Sequence, residues 1–325
     1  MKIAVLGAGN IADKVARTLE VMPEVECYAV AAREKQRAEA FAQRHGFEKA
    51  YGSYKEMLAD EAVELVYIAT PHSHHAAHMR LCIAHKKPIL CEKALTANAR
   101  EAEAVLREAR EAGVFCAEAI WTRYMPSRKL IEEVIESGVV GRITALSANL
   151  FYPVWERPRL TAPALCGGAL LDMGIYPLNF AVMCFGTGIE RIDTSCTFTP
   201  SGVDAMNTVT LFYEDGRMAV LASGMYARSD RQGILYGEKG YILVENINDP
   251  VRIRCYDTED RLIRTVDCPP EISGYEYEFS ECIRAVEQGL LEPPSMPHAD
   301  SVFMMSLMDR CRKKWGLVYE ADKEV

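Results

Sequence analysis

The sequence predicts two domains of different class. The first, residues 1–119, is an α/β domain with a doubly wound parallel sheet; the second, residues 120–325, is an α+β domain on a large, open, mostly antiparallel sheet. Three observations carry this expectation. Short apolar runs alternate with helical periodicity through the first 119 residues, the pattern of βα units. A glycine turn joins the first of these runs to the first helix. Beyond residue 120, β-rich runs joined by turns such as Glu214-Asp215-Gly216 dominate, as in antiparallel pairing. At 325 residues the chain also exceeds the size, about 250–300 residues, at which single cores stop growing.

The glycine turn organises the first domain. Ile3, Ala4, Val5 and Leu6 form the apolar run of a buried parallel strand, and Ile11, Ala12, Val15, Ala16 and Leu19 recur at helical spacing. Between them lies a G-x-G-x-x-A fingerprint. Gly7 permits the tight turn, Gly9 lets the backbone approach a pyrophosphate, and Ala12 keeps helix and strand close. The free N–H groups at the helix start, on Asn10 and Ile11, then face the phosphates, where the helix dipole favours negative charge. This is the pattern of a dinucleotide-binding Rossmann domain.

The later elements follow in order. Val25–Ala31 reads as the second strand and Glu34–His45 as a charged amphipathic helix. Glu64–Ala69 is a strand ending in Thr70-Pro71, Ser73–His85 a helix, and Pro88–Cys91 the next strand. Asn98 is a good N-cap for a helix reaching Ala112, closed by Gly113, before a short strand at Val114–Ala117. At the end of the second strand, Val30-Ala31-Ala32-Arg33 offers two small residues and an arginine where a carboxylate would bind the ribose 2′-OH of NAD. That leaves room for a 2′-phosphate paired with Arg33, so NADP is favoured and NAD is the alternative. His74 and His78 stand four apart on a helix, yet nothing nearby adds the Cys or clustered carboxylates of a zinc site. Thr70, Pro71, His72 and His75 lie instead at the C-terminal edge of a strand, a place for cofactor contacts, and no metal is expected. Glu92 and Lys93 stand at the equivalent edge of the following strand.

In the second half, a helix at Ser127–Ser137 precedes strands at Ile143–Phe151, Arg191–Thr199, Asn207–Tyr213, Met218–Ser223, Gly240–Val244, Arg252–Tyr256 and Arg261–Val266. Helices at Tyr275–Gln288 and His298–Trp315 close the chain. At the junction, Trp121 and Tyr124 can stack on a sugar or diol face and Arg123 can donate to its oxygens. Arg157 and Arg159 lie in a Pro-rich loop that can cover the site. Packing is the competing role for all five.

Bulk composition narrows the class. Hydrophobic residues make up 49% and charged residues 26%, as in ordinary globular proteins. A net charge of −9 and a pI near 5.4 argue against nucleic acid and anionic membranes as partners. The chain opens directly on a strand, and its most hydrophobic window, Ile175–Ile189, is broken by Pro177, Asn179, Gly186 and Gly188. Eleven scattered cysteines without C-x-x-C pairs read as reduced thiols, which points to the cytoplasm.

The glycine loop, T-P-H-S-H-H, C-E-K, E-A-I-W-T-R-Y-M-P and C-G-G-A-L-L-D-M-G-I-Y-P-L-N fall in the order seen in the Gfo/Idh/MocA oxidoreductase family. The chain resembles that family over nearly its whole length. The last two motifs resemble the branch containing glucose–fructose oxidoreductase and dimeric dihydrodiol dehydrogenase. The resemblance implies that Lys93 is catalytic, that Asp172 is the family's aspartate, and that Tyr176 takes the place where many members carry histidine. Two positions depart from the pattern. Ala94 replaces a proline that often follows a cis peptide; a cis bond before alanine costs about 3–4 kcal/mol, which leaves open both a cis bond and a trans loop of different shape. Cys166 replaces the first glycine of the usual triplet.

The chemistry of the residues agrees. Oxidising a carbinol removes its O–H proton while hydride leaves for the nicotinamide. A phenol is a poor base at neutral pH, but a neighbouring ammonium stabilises the phenolate. On a helix, Asp172 and Tyr176 are i, i+4 neighbours on one face. The expected activity is hydride transfer between NADP and a sugar, cyclic polyol or trans-diol. Rivals are a glycosidase of the same family using bound NAD, and a non-catalytic NAD(P)-sensing regulator. The resemblance also implies a homodimer or homotetramer, and strands such as Asn207–Tyr213 and Met218–Gly224, apolar on both faces, agree.

Overall fold

The computed structural model describes residues 1–323, which fall into two compact units: residues 1–124 with 271–305, and residues 125–270 with the remainder. In the first unit, β1 (Lys2–Leu6), α1 (Asn10–Leu19), β2 (Glu26–Ala31), α2 (Lys35–His45), β3 (Lys49–Tyr51), α3 (Tyr54–Ala59), β4 (Leu65–Ile68), α4 (His72–Ala84), β5 (Ile89–Glu92), α5 (Ala99–Glu111) and β6 (Cys116–Ala119) follow one another. The six strands are all parallel and lie in the order β3-β2-β1-β4-β5-β6. The order reverses between β1 and β4, where such sheets open a ligand crevice at their C-terminal edge. β4 and β5 are buried along their whole length, which accounts for their unbroken apolar character. Asn98 caps α5 as its sequence position predicts, accepting from the Glu101 N–H at 2.9 Å. The sequence reading did not include β3 or α3, each too short to show a period.

The second unit holds α6 (Pro126–Glu136), β7 (Ile143–Phe151), α7 (Ile175–Phe185), β8 (Ile189–Phe198), β9 (Asp204–Tyr213), β10 (Met218–Gly224), β11 (Gly233–Gly237), β12 (Gly240–Glu245), β13 (Arg252–Asp257) and β14 (Leu262–Asp267). Its eight strands run in the order β14-β13-β12-β11-β7-β10-β9-β8. All neighbours pair antiparallel except β7 and β10, which are parallel. β11 was absent from the sequence reading; glycines at both its ends hide the strand. A five-residue π-helical turn, Leu170–Gly174, leads directly into α7.

Helix α8 (Tyr275–Glu287) returns to the first unit, where Phe279, Cys282 and Ile283 join the core formed by Ile3, Val5, Val15 and Tyr67. The final long helix, α9 (His298–Trp315), starts in the first unit and ends in the second. A single cut after residue 119 does not describe this return. Residues 163–185 are long and apolar enough to cross a membrane by composition, and 78% of that window is buried inside the protein.

Candidate cofactor and catalytic sites

The loop after β1 has the geometry that its glycines predict. Gly7 takes φ +106°, and a Cβ there would stand 3.0 Å from the Ala69 carbonyl oxygen. Gly9 is the N-cap of α1 and supplies no side chain to its N–H groups; a Cβ on Gly9 would meet nothing within 4 Å. Open space before an uncapped helix N-terminus fits a dinucleotide pyrophosphate held by the N–H groups of Asn10 and Ile11. At the end of β2, Ala32 is buried and small while Arg33 is exposed. Arg37, one turn into α2, donates to the Ala8 carbonyl at 3.4 Å. Arg33 and Arg37 both act on the Tyr54 phenol, whose pKa burial raises and their charge lowers. The sequence reading missed Arg37, although its i, i+4 spacing from Arg33 was the available signal.

The segment after β5 is held from several sides. Its Lys93–Ala94 peptide is cis, the form that the sequence left open beside trans. His72 Nε2 lies 3.2 Å from the Lys93 carbonyl and His75 Nδ1 3.0 Å from the Ala94 carbonyl, while the Leu95 N–H donates to Glu118 Oε1 at 3.0 Å. With Ala94 fully buried, these neighbours define the path of the chain where a proline ring otherwise would. The Tyr67 hydroxyl donates to Glu92. From Ile89 to Asn98, Lys93 is the one residue that is not buried. The histidines are engaged with the protein itself: His75 Nε2 lies 2.7 Å from the Thr70 carbonyl and His78 Nδ1 3.0 Å from the Thr70 hydroxyl. Burial, with His74 and His75 adding to it, pulls the His78 pKa down to about 4.

Two buried acids near this strand edge, Glu118 of the E-A-I-W-T-R-Y-M-P motif and Glu278, have no role in the sequence reading. Burial pushes Glu118 up to about 7, against the Ser301 hydroxyl, the Leu95 N–H and the charges of Arg123 and Lys93. Glu278 on α8 is fully buried, and burial and Glu92 both raise its pKa well above the usual range, so it keeps its proton. A glutamate inside the apolar run Cys116–Ala119 was the signal for the first. Glu278 sits in a helix with five acidic and aromatic residues at its start, and only its depth marks it out.

Trp121, Arg123 and Tyr124 are all buried. The Trp121 ring stacks on Tyr275 at 4.7 Å, Arg123 Nη1 pairs with Asp300 Oδ2 at 3.1 Å, and the Tyr124 hydroxyl donates to the Glu118 carbonyl at 2.8 Å. These contacts give the three a packing role within their own unit.

In the second unit, Asp172 lies in the π-helical turn and Tyr176 in the first turn of α7. Along Cys166–Val182 every residue except these two is buried, so both open from one face. Arg159 Nη2 pairs with Asp172 Oδ1 at 2.9 Å. Tyr176 packs against the apolar cluster of Leu150, Leu160, Ala169, Met173 and Met225. Cys166 adopts φ +53°, and Gly167 and Gly168 follow against backbone and side-chain atoms that exclude any Cβ. The loop thus keeps glycine where closeness demands it and accepts cysteine at the position before.

The oxidoreductase family model GFO/IDH/MocA, NAD-binding Rossmann fold, matches residues 1–119, and the GFO/IDH/MocA C-terminal domain matches residues 129–243. The trans-1,2-dihydrobenzene-1,2-diol dehydrogenase of Danio rerio is 33% identical, covering all of this chain and 99% of the relative. The Homo sapiens enzyme of the same name is 30% identical over 99% of both chains. A crystal structure of a 3-ketoreductase from Actinomadura kijaniata with NADP and TDP-benzene superposes with a TM-score of 0.89 at 25% identity, covering 96% of this chain and 97% of that one.

Proposed function

The chain belongs to the Gfo/Idh/MocA oxidoreductase family, and from that premise we propose that it is an NADP-dependent dehydrogenase of trans-diols, cyclic polyols or sugars. The observation that carries the proposal is the pattern of exposure. Lys93, Asp172 and Tyr176 are the residues left unburied in two otherwise buried segments. Solvent reaches these three polar side chains where their sequence neighbours are shut off from it.

When bound, NADP supplies the nicotinamide that exchanges hydride with the substrate carbon. Gly7, Gly9, Asn10 and Ile11 hold its pyrophosphate, Arg33 its 2′-phosphate, and Thr70, Pro71, His72, His75 and Glu92 line the strand edges toward the nicotinamide end. Arg37 joins Arg33 in this reading. Tyr176 takes the carbinol proton in oxidation and returns it in reduction. Lys93 stabilises the phenolate and donates to the substrate oxygen. Asp172, oriented by Arg159, accepts from a neighbouring hydroxyl. Trp121 and Tyr124 are the residues to stack on a sugar or diol face and Arg123 the one to donate to its oxygens. Eleven scattered cysteines without C-x-x-C pairs, most of them buried, support a reducing compartment such as the cytoplasm.

The reading is tested by following nicotinamide absorbance with NADP and with NAD across a panel of trans-diols, cyclic polyols and sugars. Turnover with NADP is expected. Free sugar released without net cofactor change would replace this reading with the glycosidase one, and binding without any turnover with the sensor.

A further inference from the structure

Asp204, the first residue of β9, is fully buried although it carries a carboxyl group. Its Oδ2 accepts from the Leu170 N–H at 2.8 Å and from Asn207 Nδ2 at 3.0 Å. Asn207 Oδ1 accepts in turn from the Ser223 hydroxyl on β10 at 2.9 Å, and both of these residues are buried. The polar chain meets the Leu170–Gly174 turn at its two ends. A Cβ on Gly174 would stand 2.9 Å from Ser223 Oγ, and one on Gly168 would overlap Asp204 Oδ1. Gly174 therefore lets the turn settle directly onto Ser223, and Gly168 lets the loop before it settle onto Asp204. π-Helical turns of this kind occur frequently at functional sites.

We infer that Asp204, acting through Asn207 and Ser223, is a positioning residue that fixes the Leu170–Gly174 turn and with it the aim of Asp172 and Tyr176. The inference rests on the reading that those two residues face the substrate. A buried carboxylate is costly, and an apolar residue of similar size fills the space at lower cost, but only an acceptor ties the turn to a particular register.

The proton on Asp204 is the natural control. Burial raises its pKa to about 6, against the donors Asn207 and Leu170. The groups facing it are Tyr319, Cys196 on β8 and Cys311 on α9, while Cys166 and Arg312 act on Tyr319 and Arg312 is paired to Asp309 and Asp322. Burial pushes the Cys196 and Cys311 thiols to about 11 and about 12 and the Tyr319 phenol well above its usual range, so these three stay neutral. Asp204 is left to change charge near pH 6. The ionised form is the better acceptor for both donors.

The test uses Asp204→Asn and Ser223→Ala in the full chain, with Tyr176→Phe as reference. Readouts are kcat and the NADP KM from pH 5 to 8, Tm, and amide hydrogen exchange over residues 168–176. For Asp204→Asn, kcat at pH 7 should fall by about 10–100-fold with the NADP KM unchanged, as expected of a misaimed group. Exchange should speed up across the turn, and the acid limb of kcat near pH 6 should disappear. Ser223→Ala should show the same signs at about three- to tenfold. If Asp204→Asn does not fold, Ser223→Ala decides alone. Folded variants with wild-type kcat, pH profile and exchange overturn the inference, as does faster exchange with unchanged kcat while Tyr176→Phe is inactive. An active Tyr176→Phe enzyme overturns the reading of Tyr176 instead, and exchange then decides whether Asp204 holds the turn.

Discussion

An isolated tyrosine ionises near pH 10, so a phenol that shuttles protons at neutral pH needs a cation to favour its charged form. Removing the Tyr176 hydroxyl as Tyr176→Phe should lower kcat by about 10²–10⁴ and leave NADP affinity intact. Lys93→Met should cost as much or more, since it removes a charge and a donor together. Steady-state rates as a function of pH check both, and an unchanged profile for Tyr176→Phe eliminates the phenol as the proton carrier. Cofactor choice is also settled by single side chains. Ala32→Asp with Arg33→Ala should move preference toward NAD, because a carboxylate repels the 2′-phosphate and accepts from a free 2′-OH. Wild-type protein that already binds NAD more tightly than NADP would refute the role of Arg33. Glu118 gives a pH-dependent outcome of defined sign. Its folded pKa of about 7 lies above its ordinary 4.5, so the folded state binds the extra proton and stability falls as pH rises from about 4.5 to about 7. Glu118→Gln should flatten that slope, a difference of up to about 3 kcal/mol at pH 8. Tm measured from pH 5 to 8 decides, and an equally steep decline in the variant removes Glu118 as its source.

The first βα unit allows binding to be separated from folding. Gly7 needs its positive φ and its closeness to Ala69, so Gly7→Ala should destabilise the first unit and weaken NADP binding together. Gly9 has an ordinary extended backbone and open space around it, so Gly9→Ala should cost under about 1 kcal/mol in stability. The same methyl should raise the NADP Kd at least about tenfold, because it stands where the pyrophosphate is expected. Thermal melts with nucleotide titration compare the two variants, and undisturbed NADP binding by Gly9→Ala would count against the loop as the phosphate site. Long periodic elements such as α5, with its Asn98 cap and Gly113 stop, were legible in the sequence. β3, α3 and β11 were not, because three to six residues span less than two helical turns or present too few alternations to register a period. The α7 region was obscured by Gly174 and Pro177, and burial among neighbouring strands overrides what those two residues signal locally.

The eight-stranded sheet exposes one face whose chemistry can be read across its register. Phe212, Met218, Ala145, Tyr236, Tyr241 and Tyr256 follow one another on adjacent strands, with Arg191 over the Phe212 ring at 3.7 Å and Tyr241 stacked on Tyr256 at 4.9 Å. On β10, Ala219, Leu221 and Ser223 are buried while Val220 remains 44% exposed on the opposite side. From an apolar and aromatic row of this kind we propose an interaction surface, with a second copy of the chain as the expected occupant. Light scattering at micromolar concentration should therefore give at least twice 36.3 kDa. Val220→Asp or Tyr236→Asp should shift the mass toward the monomer, because a carboxylate in the interface goes unpaired. A stable, active wild-type monomer contradicts the assignment.

The glycine loop, the parallel strands and the spacing of Asp172 and Tyr176 could be read from the chain because each depends on neighbours in sequence. Gly7, Gly9 and Ala12 lie within one turn, and Asp172 and Tyr176 are one helical turn apart. Long-range packing decided the rest. Glu118 meets the Leu95 N–H, Glu278 meets Glu92, and Asp204 meets Leu170 across separations that no local pattern encodes. The return of residues 271–305 to the first unit belongs with these, as does the cis Lys93–Ala94 peptide among His72, His75 and Glu118. Periodicity reports which face of an element is apolar. It does not report which buried acid waits on the other side, because burial and pKa are properties of the assembled core.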